Sequence, residues 1–202
     1  CNTASAKALR TIQQNDLASI DPHRRVLGVI RPTVELVDSI SKSKHVGVVG
    51  TSGTISSQSY TLEIEKMFPH IVVTGEACPM WVPLVENNEF NGPGADYFIQ
   101  KHLDSLLTKD PQIDTLILGC THYPLISKTI AKIMGDKVTI IDPAITACEE
   151  LIAKLTQNNS LNPHPTDGVY KFYVTDIPVK FQAIGELFLN HPMEHLEVVS
   201  VE

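Results

Sequence analysis

The sequence predicts an α/β protein built on a parallel β-sheet that helices cover on both faces. Short apolar runs rich in β-branched residues alternate with amphipathic stretches along the chain, which is the pattern of strand–helix–strand units. The runs are continuously apolar, as expected of strands that are buried on both faces. With 202 residues, 43% hydrophobic and 19% charged, the chain is long enough to bury such a core.

The predicted elements follow one another in this order. A helical pattern covers residues 6–14. Continuous apolar runs predict strands over residues 26–30, 45–50, 71–75, 114–119 and 138–141. Apolar residues at helical spacing predict helices over residues 33–41 and 95–107. Asp142 and Pro143 resemble an N-cap residue and a first-turn proline, so we expect a helix over residues 143–157. A polar loop is then expected over residues 158–168, followed by a strand over 169–175, a helix over 179–189 and a strand over 196–201.

The composition argues against several classes of partner and site. Sixteen basic and 23 acidic residues give a net charge of −7, the wrong sign for binding nucleic acid along its phosphates. The longest apolar runs are far shorter than a bilayer span, so no membrane partner is expected. The four cysteines lack the spacing of a structural zinc site or a disulfide framework, and we expect no metal. We expect Cys78 to serve packing and Cys148 to be a core or half-buried residue.

Two cysteines stand in similar turns, each before a helical segment. Cys120 ends a predicted buried strand and precedes Thr121 and His122, and ligands of parallel α/β sheets bind beyond the carboxyl ends of strands. Taken alone, this pattern fits a buried strand end at least as well as a reactive thiol. A second thiol followed by two small polar residues, at Cys1, favours chemistry. Two facing thiols could remove a proton from one face of a carbon and return one to the other face.

Other polar residues have more than one interpretation. Asn2, Thr3 and Thr121 are uncharged donors that suit a carboxylate ligand. Glu86 fits a solvated helix carboxylate better than a group that tunes a nearby base, judged by spacing alone. The turn over residues 50–54 (GTSGT) lacks the lysine of a phosphate-binding loop. It is expected mainly to let backbone approach closely.

Four segments, in order, resemble the bacterial glutamate racemase family within the aspartate/glutamate racemase superfamily. They are residues 1–5 (CNTAS), 46–54 (VGVVGTSGT), 78–86 (CPMWVPLVE) and 118–125 (LGCTHYPL). The resemblance implies a cofactor-independent, cytoplasmic bacterial enzyme that interconverts L- and D-glutamate and supplies D-glutamate for peptidoglycan. It implies that Cys1 and Cys120 are the two proton donors and acceptors and that His122 assists Cys120. It further implies that substrate contacts come from Asn2, Thr3, Thr121 and His122, with Glu86 close by.

The resemblance also implies a domain organisation. Two similar parallel-sheet α/β domains are expected, the second inserted in the first, with the active site in the cleft between them. The outer domain would comprise residues 1–22 and 133–202, and the inserted domain residues 23–132. The family's Asp-Ser-Gly and Pro-Tyr-Gly turns would precede Cys1, so we expect that the chain lacks an N-terminal portion and is inactive alone.

Three questions stay open at this stage. The substrate could be aspartate or another small acid, because two thiols do not specify side-chain length. The chain could instead be a non-catalytic remnant or an interaction protein that kept the fold. Family members are often homodimers, and the sequence does not decide the oligomeric state.

Overall fold

A computed structural model of the protein describes residues 1–163 and 168–200. The chain divides into two units, Cys1–Ser160 and Leu161–Glu202. The first unit contains a four-stranded parallel sheet with helices, and the described part of the second contains a two-stranded parallel sheet and a helix. The α/β class with parallel strands, predicted from the alternation of elements, is therefore confirmed.

The strands and helices have the following bounds. The strands are β1 (His45–Gly50), β2 (Val72–Ala77), β3 (Thr115–Gly119), β4 (Thr139–Ile141), β5 (Phe172–Val174) and β6 (Leu196–Val198). The helices of the first unit are α1 (Asn2–Lys7), α2 (Leu9–Thr11), α3 (Leu17–Ile20), α4 (Ile30–Ile40), α5 (Ser52–Ser56), α6 (Ser59–Met67), α7 (Trp81–Glu86), α8 (Pro93–Lys109), α9 (Ser127–Met134) and α10 (Pro143–Gln157). The described residues also form a π-helical segment (Ile12–Asp16), a 3₁₀ helix (Tyr123–Ile126) and, in the second unit, α11 (Pro178–Leu189).

The register of the main sheet brings three strand ends to one edge. The strand order is β2-β1-β3-β4, and all neighbouring pairs are parallel. Gly50, the last residue of β1, aligns with Ala77 of β2 on one side and with Gly119 of β3 on the other. The turns that follow these three strands therefore lie side by side, at the edge where α/β sheets bind their ligands.

Apolar side chains fill both faces of this sheet. On one face, Leu116 and Leu118 of β3 pack with Trp81 and other residues of α7, α8 and α9. On the other face, Ile117 packs with residues of α4 and α6. Alternate residues of one continuously apolar strand thus face opposite cores, which explains why the strand sequence shows no polar alternation. Within the described residues, no helix has the length and apolar character needed to cross a membrane.

The strand predicted over residues 26–30 is wrong. This segment is an irregular connection, and Ile30 begins α4. Val26 and Leu27 are more than a third exposed, and the Val26 carbonyl accepts a hydrogen bond from the Gln13 side chain. The segment packs against Leu9, whose side chain would overlap a Cβ at Gly28. An apolar run becomes a strand only where another strand pairs with it, and in the first unit this run has a helix as its neighbour.

Most other predicted elements are confirmed, with small changes at their ends. Strand β1 and helix α10 have the predicted bounds, and Asp142 caps α10 by accepting a hydrogen bond from the N–H of Ala144 at 2.8 Å. The prediction for Cys148 is wrong, because its side chain is exposed; α10 turns Pro143 and Thr146 inward instead. Part of the predicted 158–168 loop (residues 164–167) and the end of the predicted last strand (residue 201) lie outside the described residues.

The predicted division into an outer domain (1–22 and 133–202) and an inserted domain (23–132) stays a prediction. The main sheet includes β4, whose residues 139–141 lie beyond the expected boundary.

Candidate functional site

The turn after β3 carries the first predicted thiol. Gly119 ends the strand, and a Cβ there would lie 2.8 Å from the carbonyl oxygen of Val49, closer than real contacts allow, so only glycine fits. Cys120 follows and is 7% exposed. The chain then turns, with the N–H of Tyr123 donating to the Cys120 carbonyl, and enters the 3₁₀ helix. The strand thus ends with a nearly buried thiol at the ligand-binding edge.

A thiol, an imidazole and a carboxylate form a chain at this turn. The Sγ of Cys120 lies 3.8 Å from Nδ1 of His122. The other ring nitrogen of His122, Nε2, lies 3.3 Å from Oε1 of Glu86 at the end of α7. A carboxylate beside one nitrogen of an imidazole fixes the ring and stabilises its charged form, which prepares the other nitrogen to accept a proton. The arrangement can therefore move a proton between the Cys120 thiol and His122.

The surroundings of Cys120 act on its thiol in opposing ways. Burial raises the pKa of the Cys120 thiol above its ordinary value. The backbone N–H of His122 lowers this pKa, and the negative charge of Glu86 raises it. Burial dominates, so the free site favours the neutral thiol and a partner must take its proton.

The turn that carries Cys1 is bonded to the turn after β1. Cys1 is exposed and precedes α1. The hydroxyl of Thr3 lies 3.1 Å from the hydroxyls of both Thr51 and Thr54, and these two are also 3.1 Å apart. Three hydroxyls in mutual hydrogen-bond distance form a closed polar cluster that links α1 to the ligand-binding edge of the sheet.

Asn2 makes a second link between α1 and the rest of the unit. Its side chain is buried, and Oδ1 accepts a hydrogen bond of 2.5 Å from the hydroxyl of Tyr60 on α6. Because the side-chain oxygen is occupied, the amide group of Asn2 is left as a donor. Burial raises the pKa of the Tyr60 hydroxyl well above its ordinary value, which keeps it a neutral donor.

The predicted site residues thus fall into two groups. His122 contacts both Cys120 and Glu86, while Thr3 is bonded to the turn that follows β1 and Asn2 to Tyr60 of α6. Thr121, also predicted, is exposed on the Cys120 turn. Three residues that hold the Cys1 turn, Thr51, Thr54 and Tyr60, are not among the site residues predicted from the sequence. The turn over residues 50–54 offers a signal for two of them, because it follows a predicted strand of a parallel sheet, where ligands bind.

A cavity of about 660 Å³ lies elsewhere in the first unit. Residues of α1, α4 and α6 contribute to its walls, and none of the predicted site residues lines it. Among residues 1–163 and 168–200, no group of three or more His, Cys, Asp or Glu side chains is arranged to hold a metal ion.

Comparison with known proteins links the chain to a family. The family model described as Asp/Glu/Hydantoin racemase matches residues 1–151. The glutamate racemase of Geobacter metallireducens is 35% identical over 202 residues, which is all of this chain and 72% of that protein. A glutamate racemase of Neisseria meningitidis is 36% identical over 201 residues, again with all of this chain and 72% of the relative covered.

Solved structures give the same result. The glutamate racemase of Francisella tularensis, solved in complex with D-glutamate, is 40% identical with a TM-score of 0.86, covering 99% of this chain and 71% of that one. A glutamate racemase isoform of Bacillus anthracis is 32% identical with a TM-score of 0.89, covering 100% of this chain and 72% of that one. The match of the family model over residues 1–151, together with relatives above 30% identity along the whole chain, shows that this chain belongs to the Asp/Glu/hydantoin racemase family.

Proposed function

We propose that the protein is a glutamate racemase, which interconverts L- and D-glutamate by proton transfer through two thiols, Cys1 and Cys120, without a cofactor. The observation that carries this proposal is the contact of the Cys120 thiol with His122, whose other nitrogen faces Glu86. It is supported by relatives named glutamate racemase along the whole chain and by a similar structure that contains D-glutamate.

The reaction breaks and remakes one carbon–hydrogen bond. One cysteine, as thiolate, takes the α-proton, and the electron pair of the broken bond is delocalised into the α-carboxylate. The other cysteine, as thiol, donates its proton to the opposite face of the same carbon. The product is the mirror-image amino acid, and the two sulfurs have exchanged protonation states. Donors aimed at the carboxylate stabilise the charge that develops there.

His122 and Glu86 have defined tasks in this scheme. Burial favours the neutral form of Cys120, so its thiolate forms when Nδ1 of His122 accepts the proton. The imidazolium that results is stabilised by the Glu86 carboxylate, 3.3 Å from Nε2. The backbone N–H of His122 also lowers the pKa of Cys120, which stabilises the thiolate once it has formed.

The substrate carboxylates are bound by uncharged donors. The amide of Asn2, whose oxygen is occupied by Tyr60, and the hydroxyls of Thr3 and Thr121 are assigned this role. These groups bind a carboxylate by hydrogen bonds and do not carry the positive charge of lysine or arginine. In a bacterial cytoplasm such an enzyme supplies D-glutamate for peptidoglycan.

The proposal is tested on the full-length gene product with L-glutamate and, separately, with L-aspartate in deuterated water. We expect loss of optical rotation with glutamate and deuterium at Cα of both enantiomers. Activity with aspartate alone would show that aspartate, and not glutamate, is the substrate. No activity with either acid would favour a non-catalytic member of the fold.

The roles of the two thiols are tested by Cys1→Ser and Cys120→Ser. Each should slow racemisation by more than about a hundredfold, the scale of a lost acid–base group. Because one thiol remains, each variant should exchange the α-hydrogen of only one enantiomer, and the two variants should differ in which one. Cys148→Ser is the matched control, since Cys148 is exposed on α10. A fully active Cys120→Ser enzyme would refute the assignment.

A further inference from the structure

One side chain touches both cysteine turns. Tyr60, on α6, is 3% exposed. Its ring atom Cε2 lies 3.5 Å from the position that a Cβ of Gly119 would occupy, so the ring packs directly over the residue before Cys120. Its hydroxyl donates to Oδ1 of Asn2, the residue after Cys1, at 2.5 Å. The tyrosine therefore spans the distance between the two turns.

Tyr60 is suited to act as a spacer. Its ring belongs to the apolar cluster that contains Val48 and Ile117 of the central strands, so its position is fixed by close packing. A tyrosine side chain has only two rotatable angles and a planar ring, so the distance between its backbone and its hydroxyl varies little. A hydroxyl at the end of this rigid group holds the Asn2 turn at a defined distance from the Gly119 strand end.

We propose that Tyr60 is a positioning residue for racemisation, because its ring against Gly119 and its hydroxyl on Asn2 set the spacing between the Cys120 and Cys1 turns. The inference rests on the proposed function. Two thiols that act on opposite faces of one carbon must both lie close to it, and a misplacement of about 1 Å can cost on the order of a hundredfold in rate.

Losing the hydroxyl should displace the Cys1 turn rather than the Cys120 turn, because the hydroxyl bonds to Asn2 while the ring that packs at Gly119 is kept. Cys120 follows β3, a strand paired on both sides and buried along its length. Cys1 precedes α1, a helix of six residues in which only Asn2 is buried. Without the Tyr60 hydroxyl, the hydroxyl cluster of Thr3 still links α1 to the sheet, but the oxygen of Asn2 loses its buried partner.

The test compares Tyr60→Phe with Tyr97→Phe in the full-length gene product. Tyr60→Phe keeps the ring and removes only the hydroxyl, while Tyr97 is 63% exposed and serves as the control. Rates and primary isotope effects are measured with L- and D-glutamate that carry hydrogen or deuterium at Cα. Because L- and D-glutamate are mirror images, their equilibrium constant is one and kcat/KM must be equal in both directions. Only the isotope effects can therefore distinguish the two thiols.

For Tyr60→Phe we expect kcat/KM to fall on the order of ten- to a hundredfold and the isotope effects to become unequal. The effect should rise in the direction in which Cys1 removes the α-proton, because that step becomes more rate-limiting. In the other direction it should fall, because reprotonation by Cys1 becomes limiting. Cys120→Ser, in which Cys1 alone remains, identifies the direction by the enantiomer whose α-hydrogen it exchanges.

Two results would overturn the inference while the function stands. The first is a Tyr60→Phe enzyme with unchanged kcat/KM. The second is a Tyr60→Phe enzyme that is slower and less heat-stable but whose isotope effects change equally in both directions. That second result would indicate a structural role alone. If Tyr60→Phe does not fold, Asn2→Ala is compared with Asn2→Asp. Both lose the amide donor assigned to the substrate, but only Asp keeps an oxygen that can accept from the Tyr60 hydroxyl, so only Asn2→Ala should show the inequality. A wild-type protein that racemises neither glutamate nor aspartate would refute the proposed function. This is measured before any variant, so the two failures can be told apart.

Discussion

Asp114 provides a prediction about stability that is independent of the reaction. This carboxylate precedes β3 and accepts four hydrogen bonds. Its Oδ1 accepts from the hydroxyls of Ser41 at 2.7 Å and Thr115 at 2.9 Å. Its Oδ2 accepts from the backbone N–H groups of Lys42 at 2.7 Å and Ser43 at 2.6 Å. These bonds fix the turn between α4 and β1 to the start of β3.

The magnitude follows from the pKa of this carboxyl group. Burial alone would raise the pKa of Asp114, but the hydrogen bonds from Ser43, Ser41, Thr115 and Lys42 outweigh burial and lower it from 3.8 to about 2. At about 1.36 kcal/mol per pKa unit, the charged form stabilises the folded protein by ~2 kcal/mol. Because the folded-state pKa is the lower one, this stabilisation is complete above about pH 4 and is lost as the pH falls through about 2.

Asp114→Asn should therefore lower the free energy of unfolding by ~2 kcal/mol near neutral pH. In the variant, the NH2 group of the asparagine side chain would face backbone N–H groups that donate to the carboxylate in the wild type. Two donors would then oppose each other without an acceptor. Unfolding in urea is followed by the fluorescence of Trp81, the single tryptophan and a fully buried one. The difference between wild type and variant should shrink as the pH is lowered from about 4 towards 2.

Asp136→Asn is the control for this prediction, because Asp136 is exposed after α9, and it should leave the unfolding free energy within about 0.5 kcal/mol of wild type. Asp114 lies at the amino end of β3, opposite the edge that carries Cys120, so racemisation per folded molecule should not change. A stability of Asp114→Asn equal to wild type near neutral pH, or a difference that does not depend on pH, would refute the reasoning.

Two further predictions concern the site. Thr54 is buried, and its hydroxyl is one of three in the partly buried cluster with Thr3. Thr54→Val removes this hydroxyl and should cost ~1–2 kcal/mol of stability and raise KM. Thr54→Ser keeps the hydroxyl and should retain KM, and equal behaviour of the two variants in urea unfolding and kinetics would contradict a role for the cluster. Glu86→Gln removes the charge that stabilises the imidazolium formed when His122 takes the Cys120 proton, so kcat/KM for racemisation should fall on the order of ten- to a hundredfold. Glu89→Gln, at an exposed position, is the control, and an unchanged kcat/KM in Glu86→Gln would show that the carboxylate does not act through His122.

Much of the fold could be predicted from the sequence because its signals are local. The continuously apolar runs over residues 45–50 and 114–119 became the central strands β1 and β3, since such runs are stable only when buried on both faces. Asp142 and Pro143 predicted the start of α10 because capping depends on adjacent residues alone. The run over residues 26–30 failed for the opposite reason. Whether it pairs depends on its neighbour in space, which here is a helix containing Leu9.

The sequence by itself determined which residue types are available at the site: two thiols in similar turns, an imidazole two residues after one of them, and small polar donors. Only the tertiary structure decided which of these groups meet. Glu86 and His122 are separated by 36 positions along the chain yet are in contact, and Tyr60 reaches both cysteine turns. Such contacts depend on strand order and register, and these are settled by the burial of the whole sheet rather than by any local pattern.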